Sequence, residues 1–422
     1  MNYNVKPSRL SGTIEIPPSK SHTHRALLFA LLANGTSKIH KYLDSPDSAA
    51  MLKAIKALGA TVIKSEDTLE ITGVGPQLKP SDDVINAGNS GIVLRFIGAL
   101  SALIPAYTVI TGDHSIRTRR PVKPLLEALE QLGVFAKSMR GDGYAPVIIA
   151  GPLSGGSCTL DGQDSQPISA LLVAASFASK KTEIHVTNPG EKPWIDLTLS
   201  WLDFLELPYE NHEYTRYVIP GGASYFGFDY TVPGDFSSLA FPVAAALVTG
   251  SEVTIENVDR SDVQGDKKLL DALTKMGANI TSEGRTLHVK KGPPLKGCTL
   301  DINDYIDAIT ILAVIGCFAE GETVLTNAAI ARKKECDRIH AIATELKKMG
   351  ADIEEKKDGL VIRPSKLKGA IVDTYHDHRM VMSLTVAALG AEGDSVVQDT
   401  QCVAKTYPNF REHMIQLGAK LT

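Results

Sequence analysis

The chain lacks a disulfide framework. Its five cysteines, Cys158, Cys298, Cys317, Cys336 and Cys402, lie far apart, form no Cys-x-x-Cys pair and are odd in number, which argues against paired bridges. A surplus of positive charge is also missing. The net charge is −4, whereas a general nucleic-acid binder shows a basic stripe. That total leaves a small anionic substrate open, because local clusters set the field. Long apolar runs are absent too. The opening MNYNVKPSRLSG holds no apolar core of signal-peptide length, and the most apolar internal run, Ile309 to Phe318, is too short to span a bilayer. No G-x-x-x-x-G-K-[ST] loop and no strand-linked G-x-G-x-x-G occurs, which disfavours the nucleotide-binding folds that use them. These absences lead us to expect a reduced, soluble, cytoplasmic protein with neither membrane nor nucleic-acid partners.

What is present begins with a repeat. An apolar helical stretch ends in Leu or Met, usually followed by Gly-Ala and then strand-like residues. The copies end at Leu58-Gly59-Ala60, Leu132-Gly133-Val134, Leu205-Glu206-Leu207, Met276-Gly277-Ala278, Met349-Gly350-Ala351 and Leu417-Gly418-Ala419. Their spacing is roughly 70 residues, longer than the solenoid periods of about 20–50, so each copy is a small α/β unit. Glycine supplies the left-handed residue that stops a helix. The third copy lacks it, so Glu206 must end that helix in another way, with Pro208 as the candidate helper.

At 422 residues, 43% hydrophobic and 22% charged, the chain has the length of two or three domains and the composition of a packed core. Thr13-Ile14-Glu15-Ile16 alternates as a strand and stops at Pro17-Pro18. A helix follows from near Ser21. Similar helices, rich in Ala and Leu, run from Gly91 to Leu103, Gln166 to Ala178, Ser237 to Val248, Asp307 to Ala319 and Asp377 to Leu389. Helices apolar all round are buried on all sides. Six units divide as three plus three. The reading is an α/β protein of two similar domains, 1–18 plus 234–422 and 19–233, joined near Pro17-Pro18 and Pro233-Gly234. Ligands often bind between such domains, so the active site is expected in the cleft between them.

Cations at helix starts are the candidate chemistry. Lys20, Ser21 and Arg25 lie at the first buried helix, where free N–H groups and the dipole favour an anion. Arg25 is one turn into an apolar helix, and a buried arginine needs a partner. Ala87-Gly88-Asn89-Ser90-Gly91 precedes the next helix, with Arg95 one turn in. Of Arg117, Arg119 and Arg120, either all line a cleft or two are simply solvated. In Arg332-Lys333-Lys334-Glu335-Cys336-Asp337-Arg338, Lys334 and Arg338 are four apart, a spacing that puts both on one helical face beside Glu335. Arg379 opens another buried helix, and Lys405 is an isolated cation. Asp307 is a helix cap or a base for a hydroxyl proton. The His22/His24 and His376/His378 pairs lack the H-x-x-x-H spacing of a helical zinc site, so no metal is expected.

Ten ordered segments resemble the 5-enolpyruvylshikimate-3-phosphate synthases, of the enolpyruvyl transferase family. They are PPSKSHTHRALL, NAGNSGIVLRF, TGDHSIRTRRPVKPLLEALEQLG, DSQPISALL, KPWIDLTL, VPGDFSSLAF, VQGDKKLLDALTKMGA, ARKKECDRI, YHDHRM and AKTYP, and they span essentially the whole chain. The resemblance implies two domains of three βαβαββ units. It also implies transfer of the enolpyruvyl group of phosphoenolpyruvate to the 5-hydroxyl of shikimate 3-phosphate, without metal or organic cofactor, by a monomer. By the same resemblance, Lys20, Gly91, Arg120, Gln166, Arg338, Arg379 and Lys405 hold phosphoenolpyruvate. Lys20, Ser21, Arg25, Ser165, Gln166, Asp307 and Lys334 hold shikimate 3-phosphate. Asp307 is the base towards the 5-hydroxyl, and Lys20 and Glu335 are the candidates for proton transfer at C3.

The chain departs from the family pattern at Asp164 and Glu191, which stand where serines hold the shikimate phosphate. They are protonated, turned away, paired with a cation such as Lys192, or a sign of another acceptor. Ile92 and Phe96 replace the usual Thr and Pro in a loop that affects discrimination against glyphosate, a phosphoenolpyruvate mimic, and imply reduced sensitivity to it. Two rival readings are an anion-binding scaffold and a UDP-N-acetylglucosamine enolpyruvyl transferase. The latter carries Lys-Asn at the place of Lys20-Ser21 and usually a loop cysteine, and none occurs near Arg117 to Arg120.

Overall fold

The computed structural model describes residues 1–422. The chain divides into two compact units, Lys20–Val232 and a second made of Met1–Ser19 with Pro233–Thr422. Each has its own apolar core. No helix is long and apolar enough to cross a membrane.

Six four-stranded sheets share one plan. In one of them, Ile85–Asn86 pairs in parallel with Thr108–Thr111, which pairs antiparallel with Val147–Ala150, itself antiparallel to Phe135–Ser138. A helix, Gly91–Ser101, links the parallel pair, because a parallel crossover needs a long connection. A second helix, Lys123–Gln131, leads to the closing hairpin. The order is β-α-β-α-β-β, and the fold is α/β with six such repeats.

Three repeats are completed by strands from far along the chain. Asp229–Thr231 pairs in parallel with Asn34–His40, and Tyr3–Lys6 lies between Ser395–Val397 and Lys420–Leu421. Thr13–Glu15 pairs with Val253–Glu256, in the unit that holds the C-terminal half.

The apolar helices are enclosed as their composition implies. Every residue from His22 to Leu32 is buried in the helix Lys20–Leu32, and so is every residue from His378 to Leu389 in His378–Gly390. Several of these helices open on a side chain that caps the free N–H groups. Ser90 accepts from Val93, Asp164 from Gln166, Asp235 from Ser238 and Asp377 from Arg379. Asp307 is no cap. It lies inside a 3-10 turn, Asn303–Ala308, and the α-helix begins only at Ile309.

The amphipathic helices all stop in one way. Gly133 takes φ 81°, its N–H reaches Glu130 O, and the Val134 N–H reaches Leu129 O, each at 3.0 Å. That double closure is the Schellman arrangement. In the third repeat Glu206 itself takes φ 55° and makes the equivalent bonds, to Asp203 O at 3.0 Å and through Leu207 to Leu202 O at 2.8 Å. No alternative stop operates there. The repeat geometry overrides the side chain's preference, at a left-handed cost of about 1–2 kcal/mol for an L-residue.

Glu206→Gly is therefore expected to raise the stability of the Lys20–Val232 unit by about 0.5–1 kcal/mol, the strain relief less the added unfolded-state entropy of glycine. Gly133→Ala, where an added Cβ meets nothing within 4 Å, should lower it by about 1 kcal/mol through backbone strain alone. Denaturant midpoints of the full chain measure both. Equal midpoints for all three proteins would refute the strain argument.

Candidate active site

In the Lys20–Val232 unit the cations gather at buried helix starts. Lys20 and Ser21 are the first two residues of their helix, both partly exposed. Arg25, one turn later, is buried. Its Nε and Nη2 donate to Thr198 Oγ1 at 3.0 and 2.8 Å, Nη2 to Trp194 O at 3.1 Å, and Nη1 to Ser21 O at 3.1 Å. The partners are all neutral, and the guanidinium lies 5.4 Å from the centre of the Phe96 ring. Burial pushes the Arg25 guanidinium down to about 9, which leaves it charged at neutral pH. A buried cation without a carboxylate is costly unless an anion comes to it.

A second group forms around Gly91. A side chain there would meet Arg120 Nη1 at 2.5 Å and Arg95 Nη1 at 2.8 Å, so it would push the tips of both arginines aside. Arg95 donates to Gln166 Oε1 at 3.0 Å and Pro121 O at 2.8 Å. Arg120 is buried, while Arg117 and Arg119 are exposed, so two of the three arginines in that run are solvated.

The two acidic departures are engaged with protein groups. Asp164 caps the helix Ser165–Ser176 and pairs with Arg95 at 3.0 Å. Its cation is Arg95, whereas Lys192 lies 5.2 Å over the Tyr214 ring. Glu191, buried and at φ 45°, accepts from both the N–H and the hydroxyl of Ser165 at 3.1 Å.

In the other unit, Arg338 is the centre of an ion-pair network. It reaches Asp377 at 2.7 Å through Nε, Asp307 at 2.7 Å through Nη1 and Glu335 at 2.8 Å through Nη2. Arg379 binds the second Asp307 oxygen at 2.6 Å, and Lys405 binds Glu335 at 2.7 Å. Burial alone would lower the Arg338 guanidinium; the charges of Asp377, Glu335 and Asp307 outweigh it and hold it well above its ordinary value. Arg379 Nε has no hydrogen-bond partner. The network thus offers a carboxylate held from two sides, Asp307, and cationic donors for an anion.

Lys334 does not share a helical face with Arg338. It is extended, at φ −88° and ψ −150°, after a 3-10 turn, and the helix starts at Arg338 itself. The capping requirement at Asp337 sets that start, since its side chain takes the His340 N–H. His22 Nδ1 is bonded by Trp201 and Tyr230.

Sequence reasoning gave no role to Asp377, Arg95 and Thr198. Asp377 reads only as the first residue of an apolar helix, and Arg95 as a core-edge arginine. The available signal was a buried arginine, which demands an acceptor somewhere.

Fold and site together describe a two-unit α/β protein whose buried helix starts are set with cations, the chemistry of a class that handles small anions. The family model for EPSP synthase (3-phosphoshikimate 1-carboxyvinyltransferase) matches residues 5–414. The chain is 44% identical over 422 residues to the 3-phosphoshikimate 1-carboxyvinyltransferase of Acetivibrio thermocellus, covering 100% of this chain and 99% of that protein. It is 47% identical over 411 residues to the enzyme of the same name from Chlamydia abortus, covering 97% and 92%. The solved EPSP synthase of Acinetobacter baumannii superposes with a TM-score of 0.84 at 28% identity, over 100% of this chain and 99% of that one. The chain belongs to the EPSP synthase family.

Arg338→Ala takes a shared cation from three carboxylates, leaving Asp307 to Arg379 and Glu335 to Lys405, and should destabilise its unit by about 3–5 kcal/mol at pH 7, as loss of one partner of a buried pair does. Without the cation the folded-state carboxyls bind protons more tightly, so the deficit should shrink as pH falls from 7 to 4. Denaturation at the two pH values checks this; a deficit that grows towards acid would overturn the charge argument.

Proposed function

We propose that this chain transfers the enolpyruvyl group of phosphoenolpyruvate to the 5-hydroxyl of shikimate 3-phosphate and releases phosphate, as a monomeric cytoplasmic enzyme. The observation that carries the reading is Asp307, gripped by Arg338 and Arg379 in a network that also holds Glu335 and Lys405. The hydroxyl adds to C2 of phosphoenolpyruvate while C3 gains a proton. The tetrahedral product then loses phosphate and a proton from C3. Asp307 takes the hydroxyl proton, and Lys20 and Glu335 are the candidates for exchange at C3. Such proton help is worth about 10²–10⁴-fold, and holding two substrates in register about 7–11 kcal/mol.

Arg338, Arg379 and Lys405, with Arg120, Gln166 and Gly91, are assigned to phosphoenolpyruvate. Arg25 and Ser21 are assigned to the shikimate carboxylate, Lys334 to its ring hydroxyls, and Ser165 to its phosphate. The uncompensated charge of Arg25 supports this, because a carboxylate ligand completes it. The acids at 164 and 191 do not require another acceptor. Asp164 is paired with Arg95, and Glu191 already uses the hydroxyl of Ser165. An incoming phosphate must therefore compete with Glu191.

Phosphate release from phosphoenolpyruvate is expected only when shikimate 3-phosphate is present. Release without it, or none with either substrate pair, would refute the assignment. Asp307→Ala should cut kcat by about 10²–10⁴-fold with KM values far less changed. Glu191→Ser should lower the KM for shikimate 3-phosphate by roughly tenfold, the equivalent of about 1.4 kcal/mol; an unchanged KM would separate Glu191 from the acceptor's phosphate.

A further inference from the structure

Thr198 is buried in the helix Lys192–Phe204 and has no part in the reaction as assigned above. Its hydroxyl meets Arg25, on the helix Lys20–Leu32. A hydroxyl has one proton to donate and two lone pairs that accept. Thr198 donates to Trp194 O, one turn back on its own helix, in a long bond of 3.5 Å. Both lone pairs are left for Arg25, whose Nε and Nη2 donate to Thr198 Oγ1 at 3.0 and 2.8 Å. Nε and Nη2 form one edge of the planar guanidinium, so a single oxygen holds that edge. The second Nη2 N–H goes to Trp194 O at 3.1 Å, and one Nη1 N–H goes to Ser21 O at 3.1 Å. Four of the five guanidinium N–H groups are thereby engaged. The fifth, on Nη1, stands beside the partly exposed start of the helix at Ser21. The clamp carries no charge. Asp196 and Asp203, the acids of the Thr198 helix, accept instead from Tyr214 and Tyr209 at 2.7 and 3.2 Å.

We propose that Thr198 is a positioning residue whose hydroxyl holds the Nε–Nη2 edge of Arg25 inward without a countercharge, so that the remaining Nη1 N–H and the whole positive charge are offered to the acceptor's carboxylate. The inference deepens the assignment of Arg25 to that carboxylate and rests on it. A carboxylate in place of the hydroxyl would hold the same edge but cancel the charge that an incoming anion needs. An aliphatic side chain would leave Nε without an acceptor in a buried place, and the fork would turn to find one. The β-branch of threonine restricts its side-chain torsion, which keeps the oxygen where Arg25 meets it. The guanidinium also lies 5.4 Å from the centre of the Phe96 ring, so its edge is held by Thr198 while an aromatic ring packs beside it.

The test is the dissociation constant of shikimate 3-phosphate alone, from calorimetric titration of the full chain, with the KM for phosphoenolpyruvate at saturating acceptor beside it. Thr198→Val nearly keeps the shape and removes the hydroxyl. It should weaken acceptor binding about tenfold and leave the KM for phosphoenolpyruvate within about threefold. Thr198→Ser restores the hydroxyl and should bind the acceptor within about threefold of the native chain. In an Arg25→Met background the Thr198→Val change should alter binding by less than about twofold, since no fork is left to hold. Four results each overturn the proposal: unweakened binding in Thr198→Val, a Thr198→Ser as weak as Thr198→Val, a rise of equal factor in the KM for phosphoenolpyruvate, or an undiminished effect in the Arg25→Met background. If Thr198→Val does not fold, Thr198→Ala takes its place with the same expectations. Arg25→Met separates the two readings. Binding as tight as native there, or none in the native chain, removes the assignment of Arg25 and this inference together. Weak binding in Arg25→Met beside an unaltered Thr198→Val removes this inference alone.

Discussion

Arg338 is buried and holds three carboxylates at once. Removing any one member leaves charge uncompensated in a low-dielectric interior, which costs far more than a surface pair ever contributes. The guanidinium fork suits the task because its nitrogens point in fixed, coplanar directions. That geometry orients Asp307 from one side, and Arg379 completes the grip from another. A carboxylate so held does not swing between rotamers, so its oxygens are placed before any ligand arrives.

The same economy recurs at the helix starts. A capping aspartate satisfies orphan N–H groups with one oxygen and leaves a charge that draws in an arginine. Asp164 caps its helix and pairs with Arg95; Asp377 caps its helix and pairs with Arg338. The fold therefore supplies anchored cations as a by-product of ending its buried helices properly. Gly91 extends the logic, since the absence of a side chain lets Arg95 and Arg120 come to the same spot.

Much of this was legible from residue order, and the illegible part has a physical cause. The six repeats showed because a helix stop and an apolar run are local events, each written within a few residues. Glu206 showed as an anomaly, but its left-handed conformation did not, because the surrounding repeat imposes it. The cations Arg25 and Arg379 stood out at the starts of apolar helices, and Arg338 at the end of a charged run. Their partners Thr198 and Asp377 did not, since a pairing across 173 or 39 positions leaves no trace in spacing. Lys334 and Arg338 illustrate the converse error. A spacing of four implies a shared face only if a helix already runs there, and a cap at Asp337 delays the helix by one turn's length.

The two units differ in how they keep a buried cation. Arg25 is held by a hydroxyl and two carbonyls, which orient it without cancelling its charge. Its affinity for an anion is thus retained, and no proton acceptor stands beside it. Arg338 is surrounded by carboxylates, which cancel its charge and can themselves exchange protons. The first arrangement suits binding, because an incoming carboxylate gains the full interaction. The second suits proton exchange, because an incoming anion rebalances the charge around carboxylates. On this argument, substitutions near Arg25 act mainly through substrate affinity and those near Arg338 mainly through turnover, a division that follows from the neighbours of each arginine and not from the arginines themselves.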